Sequence, residues 1–323
     1  MRSEMGYRFK GAGHEEPEGK RKYVPPSQKL KQAFENWLRT ADDSVYDDHN
    51  TYHKEDVARK VTEFIIGMVK SKPTIEELHS LLYHYQDHAN IKRTGAFLTT
   101  LYNRAEDKII VFDVDIGKKI KELGWNLAKG KILVNKMPVG HDLGSDSKGI
   151  VINYADAGDM AGAGLYDTGV LINYGKISTN NIASPGNSSE GLWVNAGEVS
   201  NLGDRELNGP IINFGKADNI GNDAYDESTI INAGECEALG DKTGGRVLMI
   251  KKPAKDADLS SARLVLDERR CAENPALVKY INNLRNRVEA GRTDYKEAIN
   301  LVKRLTRKKI EKDLERILGD EWC

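Results

Sequence analysis

The sequence predicts a mainly β protein. It reads as a right-handed parallel β-helix of about seven coils, flanked by an N-terminal helical bundle and a C-terminal helical hairpin. A short apolar run ending in Asn returns about every twenty residues: 132–135, 151–153, 171–173, 193–195, 211–213 and 230–232. In the copies at Asn195, Asn213 and Asn232 the Asn precedes a Gly or Ala corner, a small apolar residue four places on and a Leu or Ile seven places on. The other copies fit with one or two inserted residues. A period of this size marks a solenoid, in which every repeat is one coil stacked on the last. Outside residues 108–250 the pattern stops and helical periodicity takes over.

Residues 1–26 are polar, with Gly11, Gly13, Gly19 and Pro25-Pro26, and read as a disordered leader. Residues 27–107 form an N-terminal helical domain that also caps the coil stack. Helices are predicted from Gln28 to Arg39 and from Glu55 to Val69. The second places Val57, Val61, Phe64, Ile65 and Met68 on one face. A third opens with the capping box Thr74-Ile75-Glu76-Glu77 and carries Leu78, Leu81, Leu82 and Tyr85. A cap is expected because a bare solenoid end leaves strand edges unpaired.

Within the solenoid, Ile211, Ile230 and their equivalents line the interior and stack at roughly 4.8 Å. Seven turns would rise roughly 34 Å. The Gly after Asn is expected where a side chain, or a negative φ, would obstruct the corner. Asn135, Asn153, Asn173, Asn195, Asn213 and Asn232 are predicted to form a ladder. Each amide donates to the coil on one side and accepts from the other. Counting back one period makes Asp115 the first rung, and counting forward puts Ile250 in the same column. Ile109 to Asp115 ends in Asp-x-Asp, which resembles the opening of phosphate-transferring enzymes of the haloacid dehalogenase type. The phase of the repeat favours the structural reading.

Residues 157–165, Ala-Gly-Asp-Met-Ala-Gly-Ala-Gly-Leu, precede Gly169-Val170-Leu171-Ile172. This stretch resembles the Gly-rich β-helix repeat called GXGXG. That repeat occurs in the C-terminal domain of the large glutamate synthase polypeptide and in one of the polypeptides of formylmethanofuran dehydrogenase. The resemblance implies a right-handed β-helix acting as a structural spacer, with no catalytic residues of its own. It covers residues 157–172. Elsewhere Asn stands where that repeat has Gly.

Residues 251–273 read as a linker and 274–323 as the helical hairpin. Asn274-Pro275 starts its first helix, with Leu277, Ile281, Leu284 and Val288 as the apolar stripe and Gly291 as the stop. A second helix is expected from Asp294 to Leu318. Ile299, Val302, Leu305, Ile310, Leu314 and Ile317 face inward, and Lys303, Arg304, Arg307, Lys308, Lys309 and Lys312 form a basic outer face.

Composition bounds the function. Among the 323 residues the net charge is −1, yet residues 108–250 hold 13 Lys+Arg against 19 Asp+Glu, and residues 251–323 hold 18 against 13. An acidic barrel and a basic tail either dock on each other or face different partners. A mean hydropathy of −0.57 and the lack of a long apolar run exclude a membrane span. Three scattered cysteines, at 236, 271 and 323, suit reduced thiols and a cytoplasmic setting. Two histidine pairs, His49 with His53 and His84 with His88, have the i, i+4 spacing of metal ligands on one helix face, with Asp47, Asp48 and Asp87 to complete a mixed site. Against this, Asp42 to Asn50 reads as loop, and the simpler reading sets His84 and His88 at the solvated edge of a Leu/Tyr face. No motif calls for a cofactor.

The reading that follows is a non-catalytic scaffold that binds a protein partner, or itself, through its helical ends. One alternative is a β-helix enzyme acting on polysaccharide, which needs aligned carboxylates and cations on an exposed face. Asp156, Glu198, Lys216 and Glu235 share the third place after Asn, but they alternate in charge as a surface ladder would. A second alternative is a metal- or nucleic-acid-binding regulator working through the helical ends, with the basic face meeting phosphates. Nucleic acid is the less favoured partner.

Overall fold

The computed structural model describes residues 24–40, 54–166, 168–178, 190–203, 208–221, 228–239, 245–255, 259 and 262–322. Most of the expected leader and the His49–His53 pair lie outside these residues.

The solenoid is present, with about seven turns. Strands β1 (Ile109–Phe112), β2 (Ile132–Asn135), β3 (Ile150–Asn153), β4 (Val170–Asn173), β6 (Leu192–Asn195), β8 (Pro210–Asn213), β10 (Thr229–Asn232), β12 (Arg246–Met249) and β13 (Leu264–Leu266) form one nine-stranded parallel sheet. A second sheet of four strands, β5 (Lys176–Ile177), β7 (Glu198–Leu202), β9 (Lys216–Ile220) and β11 (Glu235–Leu239), lies beyond the Asn corner. Register follows the repeat: Asn153 pairs with Asn173, and Asn195 with Asn213. Ile177, Val199, Ala217 and Cys236 then form a second inward column.

Two expectations fail at the ends of the stack. Phe112, not Asp115, stands opposite Asn135, and Met249, not Ile250, stands opposite Asn232. Asp115 lies three residues past the strand, exposed, with its carboxylate accepting from the Gly117 backbone N–H at 2.8 Å. The loop after β1 is longer than the loops between later coils, so counting a fixed period back from Asn135 stops three residues short of Phe112. Nor does the stack end near residue 251. Within the expected linker, β13 adds a further strand and α5 (Glu268–Ala272) follows it.

The N-terminal helices are α1 (Gln28–Thr40), α2 (Lys54–Met68), α3 (Ile75–His84) and α4 (Gly95–Arg104). The Thr74/Glu77 capping box forms in both directions. Phe64 is 44% exposed rather than buried with its neighbours. The fourth helix escaped the sequence reading and is the one that closes the solenoid. The Gly124 N–H donates to Thr99 Oγ1 and the Ala128 N–H to Asn103 Oδ1, each at 2.8 Å. Phe97, Leu101 and Tyr102 join the same apolar cluster as Phe112, Leu123 and Leu133, so helical domain and coil interior share one core.

At the other end α6 (Pro275–Thr293), α7 (Tyr295–Val302) and α8 (Arg307–Leu318) do not project as a free hairpin. They lie along the outer face of the nine-stranded sheet, where Leu277, Ile281, Leu284 and Val288 pack in one cluster with Val134, Ile152, Ile172, Val194, Ile212 and Ile231. With its 19 residues, α6 is about 28 Å long and runs against the stacking direction. Arg285 sits over Phe214, Arg292 over Tyr174, and Lys136 over Tyr295. The chain then returns, and Arg246 Nε donates to the Trp322 carbonyl. Strands buried on both faces must be apolar at every position, which is why they read Ile-Leu-Val and Val-Leu-Ile without alternation.

Two details of this hairpin differ from expectation. Gly291 does not end α6, which continues to Thr293. The second helix is broken, with Thr306 capping α8 through Oγ1 on the Lys309 N–H at 3.3 Å.

Candidate functional site

The Asn corner is the most regular feature of the fold, and it is structural. Asn135 Nδ2 donates to Asn153 Oδ1 at 2.8 Å, and the same bond repeats through Asn173, Asn195, Asn213 and Asn232. Asn232 ends the row on the Lys251 carbonyl at 2.8 Å. The second amide proton of Asn153 goes to the Ala155 carbonyl, and that of Asn173 to the Gly175 carbonyl. All six ladder residues are fully buried, so their donors are spent inside the protein. The glycine that follows is required by closeness, not by a positive φ: a Cβ on Gly197 would stand 1.9 Å from the Gly175 carbonyl oxygen.

Outside that corner the third-place column is a charge ladder with one more member than the sequence reading counted. Asp156, Lys176, Glu198, Lys216 and Glu235 follow one another along the stack, and Lys251 closes it. Lys176 Nζ lies 3.6 Å from Glu198, and Lys251 Nζ 3.7 Å from Glu235. Register sets Lys216 between Glu198 and Glu235. The charges alternate along the stack, so Glu198 and Glu235 each stand beside a lysine of a neighbouring coil. Beside this column Tyr174, Gly175, Gly197, Gly215, Lys216 and Arg292 line a cleft of about 430 Å³. Arg292 is already committed to Glu289, at 2.9 Å, and to the Ala196 carbonyl. Among the described residues the cleft presents no unpaired acid for proton transfer.

The expected metal pair is not assembled. Helix α3 stops at His84, and His88 lies beyond it with Nδ1 accepting from the Asn90 N–H at 3.2 Å. The two imidazoles therefore share no helix face. Among the described residues no group of three or more His, Cys, Asp or Glu side chains is placed to hold a metal ion. Burial pushes the Cys236 thiol up to about 12 and the Cys271 thiol up to about 11, which keeps both protonated and unreactive.

The basic face survives in altered form. Lys303, Arg304, Lys308, Lys309 and Lys312 are exposed, whereas Arg307 turns inward to Glu311 at 2.8 Å and to the Glu190 carbonyl at 3.2 Å. Lys309 is tied to buried Asp313 at 2.8 Å, which also meets Arg316 at 3.4 Å. Arg287 of α6 joins this face. It lines a cleft of about 130 Å³ with Tyr280, Asn283, Leu284, Arg304, Leu305, Lys309 and Asp313. The sequence reading missed Arg287, although Tyr280, Leu284 and Arg287 stand at i, i+4, i+7 on one helix face, which was the available signal.

No helix among the described residues is long and apolar enough to cross a membrane. Comparison with protein-family models, with curated proteins and with solved structures returns no match to this chain.

Proposed function

We propose that the protein is a non-catalytic scaffold, a stiff rod that holds a partner protein at a fixed position. One observation carries this reading: the chain devotes its C-terminal helices to covering its own sheet. Tyr154 donates to the Gly291 carbonyl and Tyr174 to that of Val288, and the two rings stack at 4.9 Å. Solenoid and hairpin are thereby locked into one body, as a spacer needs. The likeness of residues 157–172 to the GXGXG repeat supports the same role, with a cytoplasmic setting suited to its free thiols. The polysaccharide alternative requires an unneutralised acid pair, and the exposed carboxylates of the charge ladder are each set against a lysine.

The test is native co-purification of the tagged full-length chain, with mass spectrometry of what stays bound in moderate salt. A stoichiometric protein partner is expected. A chain that runs alone sinks the scaffold reading. Truncating residues 274–323 would not locate the contact, because it would strip the cover from Val134, Ile152, Ile172 and Val194. Surface point variants are needed instead.

A further inference from the structure

We infer that the cleft between α6 and the turn leading into α8 is the socket of this scaffold, and that it takes an acidic polypeptide segment anchored by an apolar side chain. The inference rests on the scaffold reading and names its partner chemistry.

The charge economy of the surface points there. Along the second sheet every exposed charge of the third-place column is set against an opposite one in the next coil. At the α6/α8 cleft this discipline stops. Among the described residues the lining Arg287 and Arg304 make no ion pair with a carboxylate, nor do Lys303 and Lys312 outside the lining, and Lys309 shares its one partner, Asp313, with Arg316. Clustered like charges repel one another, and a partner's carboxylates would relieve that repulsion. The acid in the cleft is no obstacle, since Asp313 is 7% exposed and held by two cations.

The lining decides between kinds of anion. Leu284, Leu305 and the ring of Tyr280 share the cleft with the cations. Burial lifts the Tyr280 hydroxyl above its ordinary value, so it stays a neutral hydrogen-bond donor. A phosphodiester chain offers nothing to two leucines. A peptide with Asp or Glu flanking one Leu, Ile or Phe matches both halves, an apolar anchor inside a charged rim.

Two measurements test this on the full-length chain. In the first, a fluorescein-labelled Glu-rich peptide carrying one Leu is titrated by anisotropy at low salt, beside an oligothymidine of matched charge. The peptide is expected to bind, roughly tenfold more weakly to Arg304→Glu or Arg287→Glu, and unchanged to Lys296→Glu, an exposed position outside the cleft. Replacing its Leu by Ser should weaken it by about tenfold. No binding, binding indifferent to both reversals, or preference for the oligonucleotide overturns the inference. In the second, carbodiimide joins amines to contacting carboxylates in the co-purified complex. Links from Lys303, Lys309 or Lys312 to partner Asp or Glu are expected. Links only elsewhere overturn the socket and leave the scaffold standing, while absence of any partner removes the scaffold itself.

Discussion

The Tyr174 hydroxyl occupies the space that a side chain at Gly291 would need. It donates to the Val288 carbonyl at 2.9 Å, and a Cβ on Gly291 would stand 2.4 Å from it. The helix therefore carries a glycine about one turn short of α7 because a tyrosine from the fourth strand's corner reaches into it. Gly291→Ala should destabilise the protein by about 1 kcal/mol, as overpacking outweighs a helix-propensity gain of similar size. In a Tyr174→Phe background the same substitution should cost less but not become stabilising, because Ala298 Cβ, 2.9 Å from the added Cβ, still crowds it. Urea unfolding of the four proteins decides it, and equal effects in both backgrounds would show that the contact is not the cause.

The amide ladder makes a second prediction. Asn195→Ala leaves one Asn173 amide proton without its acceptor and Asn213 Oδ1 without its Asn195 donor, both fully buried. At about 1–3 kcal/mol for each orphaned group, the loss should be about 2–6 kcal/mol. The Asn219–Asn201 pair is the control: it makes the same bond, 2.8 Å long, on an exposed face. Asn219→Ala should cost under about 0.5 kcal/mol. Comparable losses at the two sites would mean that burial does not set the ladder's worth.

A third prediction concerns strain. Among the described residues the five non-glycine positions with positive φ fall in two columns of the early coils: Glu122, Asp142 and Met160 in one, Asn126 and Asp146 in the other. Gly124, Gly144 and Gly162 stand between these columns, and Gly164 completes the second, all with positive φ as well. The left-handed conformation costs an unbranched residue such as Met160 roughly 1–2 kcal/mol, and a β-branched one more. Met160→Gly should stabilise by up to about 1 kcal/mol and Met160→Val should destabilise, a spread of at least about 2 kcal/mol by thermal or urea unfolding. Asp146→Gly should not stabilise, since it also removes the acceptor of Trp125 Nε1 at 3.0 Å.

Much of this fold was legible because identical positions stack. Asn135 to Asn232 disclose register directly, and Val199, Ala217 and Cys236 disclose the inward column of the second sheet. What periodicity could not locate were features that depend on contacts far apart in sequence. Helix α4 has a weak pattern because nearly all of it is buried, from Gly95 to Tyr102. The wrap of α6 along the sheet was written in the unbroken apolar triplets, since a strand with one wet face would alternate. The candidate site was half legible. The run from Lys303 to Lys312 is visible as charge, but Arg307's inward turn and Arg287's arrival from another helix follow from packing.

The last prediction concerns alkaline pH. Burial raises the Cys236 and Cys271 thiols from 9.0, to about 12 and about 11, and burial also raises the hydroxyls of Tyr154, Tyr174 and Tyr280 above 10.0. In the unfolded chain these groups lose their protons at their ordinary values, so over that range the folded state holds more protons than the unfolded one. Stability is then fully present below about pH 9 and falls as pH rises towards the folded values. The urea midpoint at about pH 10.5 should lie well below that at neutral pH, and at about pH 8 the two thiols should resist a disulfide reagent until urea unfolds the chain. A midpoint that holds or rises with pH would show that these groups are not shielded as their burial requires.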